Sequence, residues 1–270
     1  MSPLTQPLRV GFIGYGTIAC QVEAGIRAGN AGHSCVAAAL VRQERADAPN
    51  DILITADPER FLSQPLDVVI EAAGQESIHQ HGEAVLRSGM DFLVLSVGAL
   101  ADDDLFGRLQ RAAEDSNAHL LLPSGAIGGL DALSSAAMGD IEEVTLTTRK
   151  PPDALQTGTD RDAALAGARV ERVLLYEGSA REAVRLFPAN VNVAAALSLA
   201  GVGFDRTQVR VYADPSVTRN THEVHARGWF GELSFTIQNV PTENPKTGRI
   251  TALSVLKILR DYRASTRLVG

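Results

Sequence analysis

The stretch Gly11-Phe12-Ile13-Gly14-Tyr15-Gly16-Thr17-Ile18-Ala19 constrains this chain more than any other. The apolar run Leu8 to Ile13, interrupted by Arg9 and Gly11, reads as a short buried strand. Gly14, Gly16 and Ala19 then fit the pattern G-x-G-x-x-G/A, and a helical pattern follows. Each small residue has a physical task. Gly14 makes the tight turn, Gly16 lets backbone approach a pyrophosphate, and Ala19 lets the new helix lie against the strand. Free N–H groups and the dipole at the helix start favour negative charge. Gly14, Tyr15, Gly16, Thr17 and Ile18 are therefore the expected cradle of a dinucleotide.

The rest of the chain bounds the possibilities. A length of 270 residues permits one large domain or two small ones, each with its own core. A formal net charge of −7 argues against a nucleic-acid surface, which needs clustered positive charge. No apolar run approaches the ~20 residues that span a bilayer. The first residues show no charged-then-apolar signal pattern. Cys20 and Cys35 are the only cysteines, so no disulfide framework is expected, and a reducing cytoplasm is.

Strands are expected over Cys35 to Val41, Ile52 to Thr55, Asp67 to Gly74, Asp91 to Val97 and His119 to Pro123. Helices are expected over Ile18 to Ala28, from Asp57, over Ser77 to Ser88 and over Asp102 to Asn117. This alternation implies a parallel, doubly wound sheet, an α/β architecture. The second strand runs into Val41-Arg42-Gln43 and Glu44. An acid at that end normally holds the adenosine ribose. Arg42 suits a 2′-phosphate instead, or is a solvated surface charge, so NAD and NADP both stay open. Ala73 and Gly98 close later strands with little side chain, where a cofactor lies close to backbone. A second glycine-rich turn, Ser124 to Asp131, contains Ala126 and leads into a helix over Asp131 to Met138.

The pattern then changes. Glu143 to Arg149 alternates as a half-buried strand does, and Lys150-Pro151-Pro152 ends it. Helices are expected over Asp160 to Ala168, Ser179 to Phe187 and Val191 to Gly201. Strands are expected over Val209 to Ala213, Thr221 to Ala226 and Gly231 to Val240, then a closing amphipathic helix over Ile250 to Arg263. Mixed strands and helices indicate a second, α+β domain.

His222, in Thr218-Arg219-Asn220-Thr221-His222-Glu223-Val224, titrates near neutral pH and suits proton transfer. It is otherwise an interfacial histidine. On a strand it shares a face with Val224 and Ala226, while His225 faces away, so the pair does not make a metal site. Neither cysteine stands at the domain junction, which argues against a thiol nucleophile. Lys150 puts positive charge at a strand end, where it meets an anionic substrate or only solvent. Lys246 is weighed the same way. Asn190 and Asn192 precede a helix, where an amide caps it or meets a nicotinamide carboxamide.

Several stretches together resemble the L-aspartate dehydrogenase family, which is linked to NAD biosynthesis. They are Gly11 to Ala19, Ser96 to Leu100, Pro123 to Leu133, Lys150-Pro151-Pro152, Phe187 to Gly201, Asn220 to Gly231 and Asn239 to Leu253. The resemblance implies a Rossmann dinucleotide-binding domain over 1–130 and an α+β catalytic and dimerisation domain over 131–248. That second domain is like those of homoserine dehydrogenase and dihydrodipicolinate reductase. A C-terminal helix over 249–270 would pack back on the nucleotide domain. It implies His222 as the active-site histidine, and Ala126 with an asparagine of Asn190-Val191-Asn192, Asn192 being favoured, as cofactor contacts; Lys150, Asn190 and Lys246 are the candidate substrate contacts from their charge and amides. The implied activity is NAD(P)-dependent oxidation of L-aspartate to iminoaspartate, then oxaloacetate and ammonia, by a cytoplasmic homodimer without metal. The rival readings are a dihydrodipicolinate reductase-like or other amino-acid dehydrogenase, and a non-catalytic NAD(P)-binding redox sensor.

Overall fold

The structure is a computed structural model describing residues 6–44, 51–155, 168, 170–187, 192–240 and 248–266. The chain divides into two compact units. The first holds residues 1–125 and 251–268, the second mainly residues 126–250.

The first unit is built on six parallel strands in the order β3-β2-β1-β4-β5-β6. They are β1 (Leu8–Ile13), β2 (Ser34–Leu40), β3 (Leu53–Thr55), β4 (Val68–Glu71), β5 (Asp91–Val94) and β6 (Leu120–Leu121). The apolar runs expected as buried strands are these strands, since both faces of a parallel sheet are covered. Helices α1 (Thr17–Arg27), α2 (Pro58–Leu62), α3 (Gln75–Arg87) and α4 (Asp103–Ser116) alternate with them. Asp57 and Asp102 cap α2 and α4 through their carboxylates, as acids at helix starts do. The expected fifth strand stops at Val94, and Val97–Ala101 winds into a 3₁₀ turn instead. Strand order reverses at β1, so the crevice outside the ends of β1 and β4 is the topological switch point.

The second unit carries a five-stranded mixed sheet in the order β11-β10-β7-β9-β8. Its strands are β7 (Ile141–Lys150), β8 (Val173–Ser179), β9 (Gln208–Ala213), β10 (Asn220–Gly228) and β11 (Gly231–Asn239). Strand β8 was not expected from the sequence, because Val173-Leu174-Leu175-Tyr176 does not alternate. Its helices are α5 (Leu130–Ala136), α6 (Ala180–Leu186) and α7 (Asn192–Ala200). Residues Val193 to Ser198 of α7 are all buried, as expected of a helix apolar on every side, and α7 packs on both α5 and α6. The helix expected over Asp160 to Ala168 lies outside the described residues, apart from Ala168.

Helix α8 (Arg249–Tyr262) closes the chain, and its residues from Thr251 on belong to the first unit. Ala252, Val255, Leu256 and Leu259 join the core formed by Val10, Phe12, Val22 and Ile26. Gly25 makes room for this: a Cβ there would stand 2.4 Å from Leu256 Cδ1. The Tyr262 hydroxyl donates to the Asp91 carboxylate, and Arg263 pairs with Asp67 at 3.1 Å.

Candidate active site

The first unit offers a nucleotide cradle. Gly14 sits at φ +85°, a conformation that disfavours any residue with a Cβ. A Cβ there would also stand 2.7 Å from Ala73 Cβ and 2.8 Å from Ala73 Cα. Gly16 opens α1 without a side-chain cap, and nothing lies within 4 Å of where its Cβ would be. Gly16 and Thr17 are exposed, and no acid stands in the first turn of α1. Uncapped N–H groups at an exposed helix start, reached through a glycine, fit a pyrophosphate. Tyr15 is different from its neighbours. Its ring packs edge-on against Phe12 with centroids 6.2 Å apart, and its hydroxyl donates to Glu23. Tyr15 itself is buried. Burial, with Glu23 beside it, pushes its phenol well above the usual range.

The other nucleotide candidates lie along the same sheet edge. Ala73 follows β4, and Gly98 lies buried in the turn after β5. Arg42 follows β2 and is exposed, while Glu44 accepts a bond from the Ala56 N–H at 3.4 Å.

The second unit holds the candidate acid–base group. Register places His222 of β10 between Thr148 of β7 and Ile237 of β11. Thr148 and Lys150 are two apart on β7 and share one face. All three side chains are buried, His222 and Lys150 each to 4% exposure. Thr148 Oγ1 lies 3.0 Å from His222 Nδ1. Burial, reinforced by the Lys150 charge, pulls the His222 imidazole down to about 3. On the opposite face His225 Nε2 lies 2.9 Å from Glu232, so the two histidines diverge as the strand pattern requires. Asn239, which pairs with Asn220 across the β10–β11 ladder, donates from Nδ2 to the Ala126 carbonyl at 2.8 Å. Ala126 thereby joins the sheet end where Lys150 and Asn220 stand. In the second glycine-rich turn, Gly128 leaves space for Phe235, whose Cζ would be 2.6 Å from a Cβ. Asn192 is the first residue of α7. Asn190 and Lys246 lie outside the described residues. Among the described residues no group of three or more His, Cys, Asp or Glu side chains could hold a metal.

The sequence does not single out Thr148 or Asn239. Thr148 had a signal: it stands two residues before Lys150 in an alternating strand. Asn239 had none, because its role depends on a partner 113 residues away.

The buried imidazole has a consequence for stability. Folded, His222 stays neutral down to about pH 3, whereas the unfolded chain takes up the proton near pH 6.5. Between these values the unfolded state binds more protons. This contribution is therefore fully present above about pH 6.5 and is lost as pH falls toward about 3. In urea unfolding, His222→Gln should lessen the loss between about pH 7 and about pH 4.5 by about 1–3 kcal/mol. A parallel loss in both proteins would show that His222 is not buried neutral.

Two family models match this chain. Residues 14–123 match the family described as homoserine dehydrogenase, NAD binding domain. Residues 131–262 match the family described as aspartate dehydrogenase, C-terminal. The L-aspartate dehydrogenase of Methanosarcina barkeri is 44% identical over 94% of this chain and 96% of its own length. L-aspartate dehydrogenase 2 of Bordetella bronchiseptica is 43% identical over 95% of this chain and 97% of its own. The crystal structure of aspartate dehydrogenase from Thermotoga maritima is 28% identical. It covers 97% of this chain and 99% of its own at a TM-score of 0.78. A hyperthermophilic archaeal homoserine dehydrogenase shares the fold, with a TM-score of 0.64 at 10% identity. The histidine-bearing sheet thus lies within the aspartate dehydrogenase match and the glycine cradle within the NAD-binding match, and the chain belongs to the L-aspartate dehydrogenase family.

Proposed function

We propose that this enzyme oxidises L-aspartate with NAD or NADP, giving iminoaspartate and then oxaloacetate and ammonia. The observation that carries the reading is the buried cluster of His222, Thr148 and Lys150 on one face of the second sheet. When bound, the nicotinamide supplies the two-electron acceptor for the substrate Cα–H bond. Gly14, Gly16, Thr17 and Ile18 would hold its pyrophosphate, with Ala73, Gly98, Ala126 and Asn192 toward the ring and Arg42 toward the adenosine ribose.

The chain's own groups do the rest. Lys150 is a buried cation suited to a substrate carboxylate, and a charge-assisted bond there is worth about 1.5–3 kcal/mol. Asn190 and Lys246 are the further substrate contacts in this reading. For His222 to act as a base, its proton must sit on Nδ1 and be donated to Thr148 Oγ1. Nε2 then carries the free lone pair. Nε2 takes a proton from the substrate ammonium group and gives it up to solvent; it then takes one from the water that adds to the imine carbon and returns it to the departing amine. A dianionic substrate beside it supplies the negative charge that an imidazolium needs and that burial denies it.

The test is direct. Purified protein is mixed with L-aspartate and NAD⁺, then NADP⁺, while reduced nicotinamide is followed by absorbance. D-aspartate, L-glutamate and L-homoserine are the controls. Signal with L-aspartate alone supports the reading. Signal only with another amino acid would replace the substrate, and none with any would favour the non-catalytic sensor. The two cofactor rates show whether Arg42 meets a 2′-phosphate. Lys150→Met should raise KM for aspartate by about 10–100-fold with nucleotide affinity unchanged, the scale of one charged bond. An unchanged KM would remove Lys150 from the substrate site.

In this reading the enzyme works as a cytoplasmic homodimer. Two free cysteines support a reducing compartment. Among the described residues no helix is long and apolar enough to cross a membrane. Light scattering of the purified protein reads the subunit number.

A further inference from the structure

Strand β4 ends on a residue that its surroundings make unusual. Val68, Val69 and Ile70 are buried apolar side chains, and Glu71 after them is 0% exposed. A carboxylate is seldom placed in a sheet interior, because losing water is costly unless its oxygens find donors. Glu71 finds them on two separate turns. Oε1 accepts from the Ala73 N–H at 2.8 Å and the Gly74 N–H at 2.7 Å. The Ser77 hydroxyl lies 3.3 Å from the same oxygen but donates more closely to the Gly74 carbonyl, at 2.7 Å. Across the sheet, the Ser96 N–H donates to Oε2 at 2.8 Å and the Ser96 hydroxyl to Oε1 at 3.0 Å. One side chain thus ties the turn after β4 to the turn after β5.

Those turns flank the switch point. Glu71 pairs with Ile13 of β1 on one side and Val94 of β5 on the other. Ala73, which Glu71 holds by its N–H, is the residue against which Gly14 is pressed. In this strand order the pyrophosphate belongs at β1 and the adenosine ribose at the end of β2. The nicotinamide half of the dinucleotide then falls on the β4 and β5 side, where Ala73 and Gly98 lie.

We propose that Glu71 is a positioning residue for the nicotinamide half of the cofactor. It touches no substrate; it sets the backbone of the two turns that receive that half. This inference needs only a dinucleotide in the cradle and is independent of which amino acid is oxidised.

The test compares two ligands that differ in the half concerned. Kd is measured by calorimetry for NAD⁺ and for ADP-ribose, which lacks the nicotinamide, or for the 2′-phosphorylated pair if the enzyme takes NADP. Glu71→Gln puts an amide NH₂ where one of the two turns presents donors, so one turn is released. NAD⁺ affinity should fall about tenfold and ADP-ribose affinity by less than about twofold, the scale of one lost bond acting on one half. Equal loss for both ligands, or no loss for either, overturns the proposal. A purely structural role lowers Tm and leaves the ratio of the two constants unchanged. Should Glu71→Gln fail to fold, hydrogen exchange on the unmodified enzyme decides. The amides of Ala73, Gly74 and Ser96 should gain more protection from NAD⁺ than from ADP-ribose, and equal protection overturns the proposal.

Discussion

Replacing His222 with alanine is expected to lower kcat for aspartate oxidation by about 10²–10⁴-fold, while nucleotide Kd stays within about twofold. The split follows from where the residue sits. His222 belongs to the second unit, whereas the glycine cradle belongs to the first. Its neighbours on the sheet cannot take over. Thr148 is an alcohol, a poor base at neutral pH, and Lys150 carries the positive charge that helps hold the imidazole neutral. Alanine leaves Thr148 Oγ1 in a buried site without its partner, so some stability is lost too. Turnover is therefore compared at a temperature where both proteins are folded. Undiminished kcat would remove His222 from the chemistry.

The second large effect belongs to Gly14. Gly14→Ala forces a side chain into a left-handed backbone conformation and sets its Cβ within 3 Å of three atoms of Ala73. The conformational cost is about 1–2 kcal/mol and the overlap about 1–3 kcal/mol more. The turn must move to relieve them, so nucleotide affinity should fall by about 10²-fold or more, with a lowered Tm. Gly16→Ala is the informative contrast. Gly16 has φ −101°, which alanine tolerates, and its Cβ would meet no atom of the chain. That variant should keep its Tm and lose only nucleotide affinity, because its methyl group enters the space through which a pyrophosphate approaches. Equal loss of Tm in the two variants would contradict this account of the turn.

The first unit was legible because its signals are local. An apolar run, a glycine pattern and an acid before a helix each act within a few residues, and β1, α1 and the Asp57 cap lie where those signals put them. Strand β8 was hidden, since its ladder with β9 is a pairing across the chain and its own sequence lacks alternation. In the sequence Glu71 is one more residue of the strand expected over Asp67 to Gly74. Its donors on the turn after β5 lie 25 residues further on, and no spacing rule joins them. For His222 the strand face was readable, because period two is a local property. Its pairing with Thr148 spans 74 residues and needed the sheet register.

Helix α8 also has a bearing on how this protein is made. When the sheet of the first unit has left the ribosome, the surface near Val22, Ile26 and Gly25 still lacks Val255, Leu256 and Leu259. Those residues are synthesised roughly 125 positions later. At about 5–20 residues per second that delay is about 6–25 seconds. During that interval an apolar surface of the nascent nucleotide unit stays uncovered, of the kind that makes incomplete folds prone to aggregate. The unit that begins first is thus obliged to finish last.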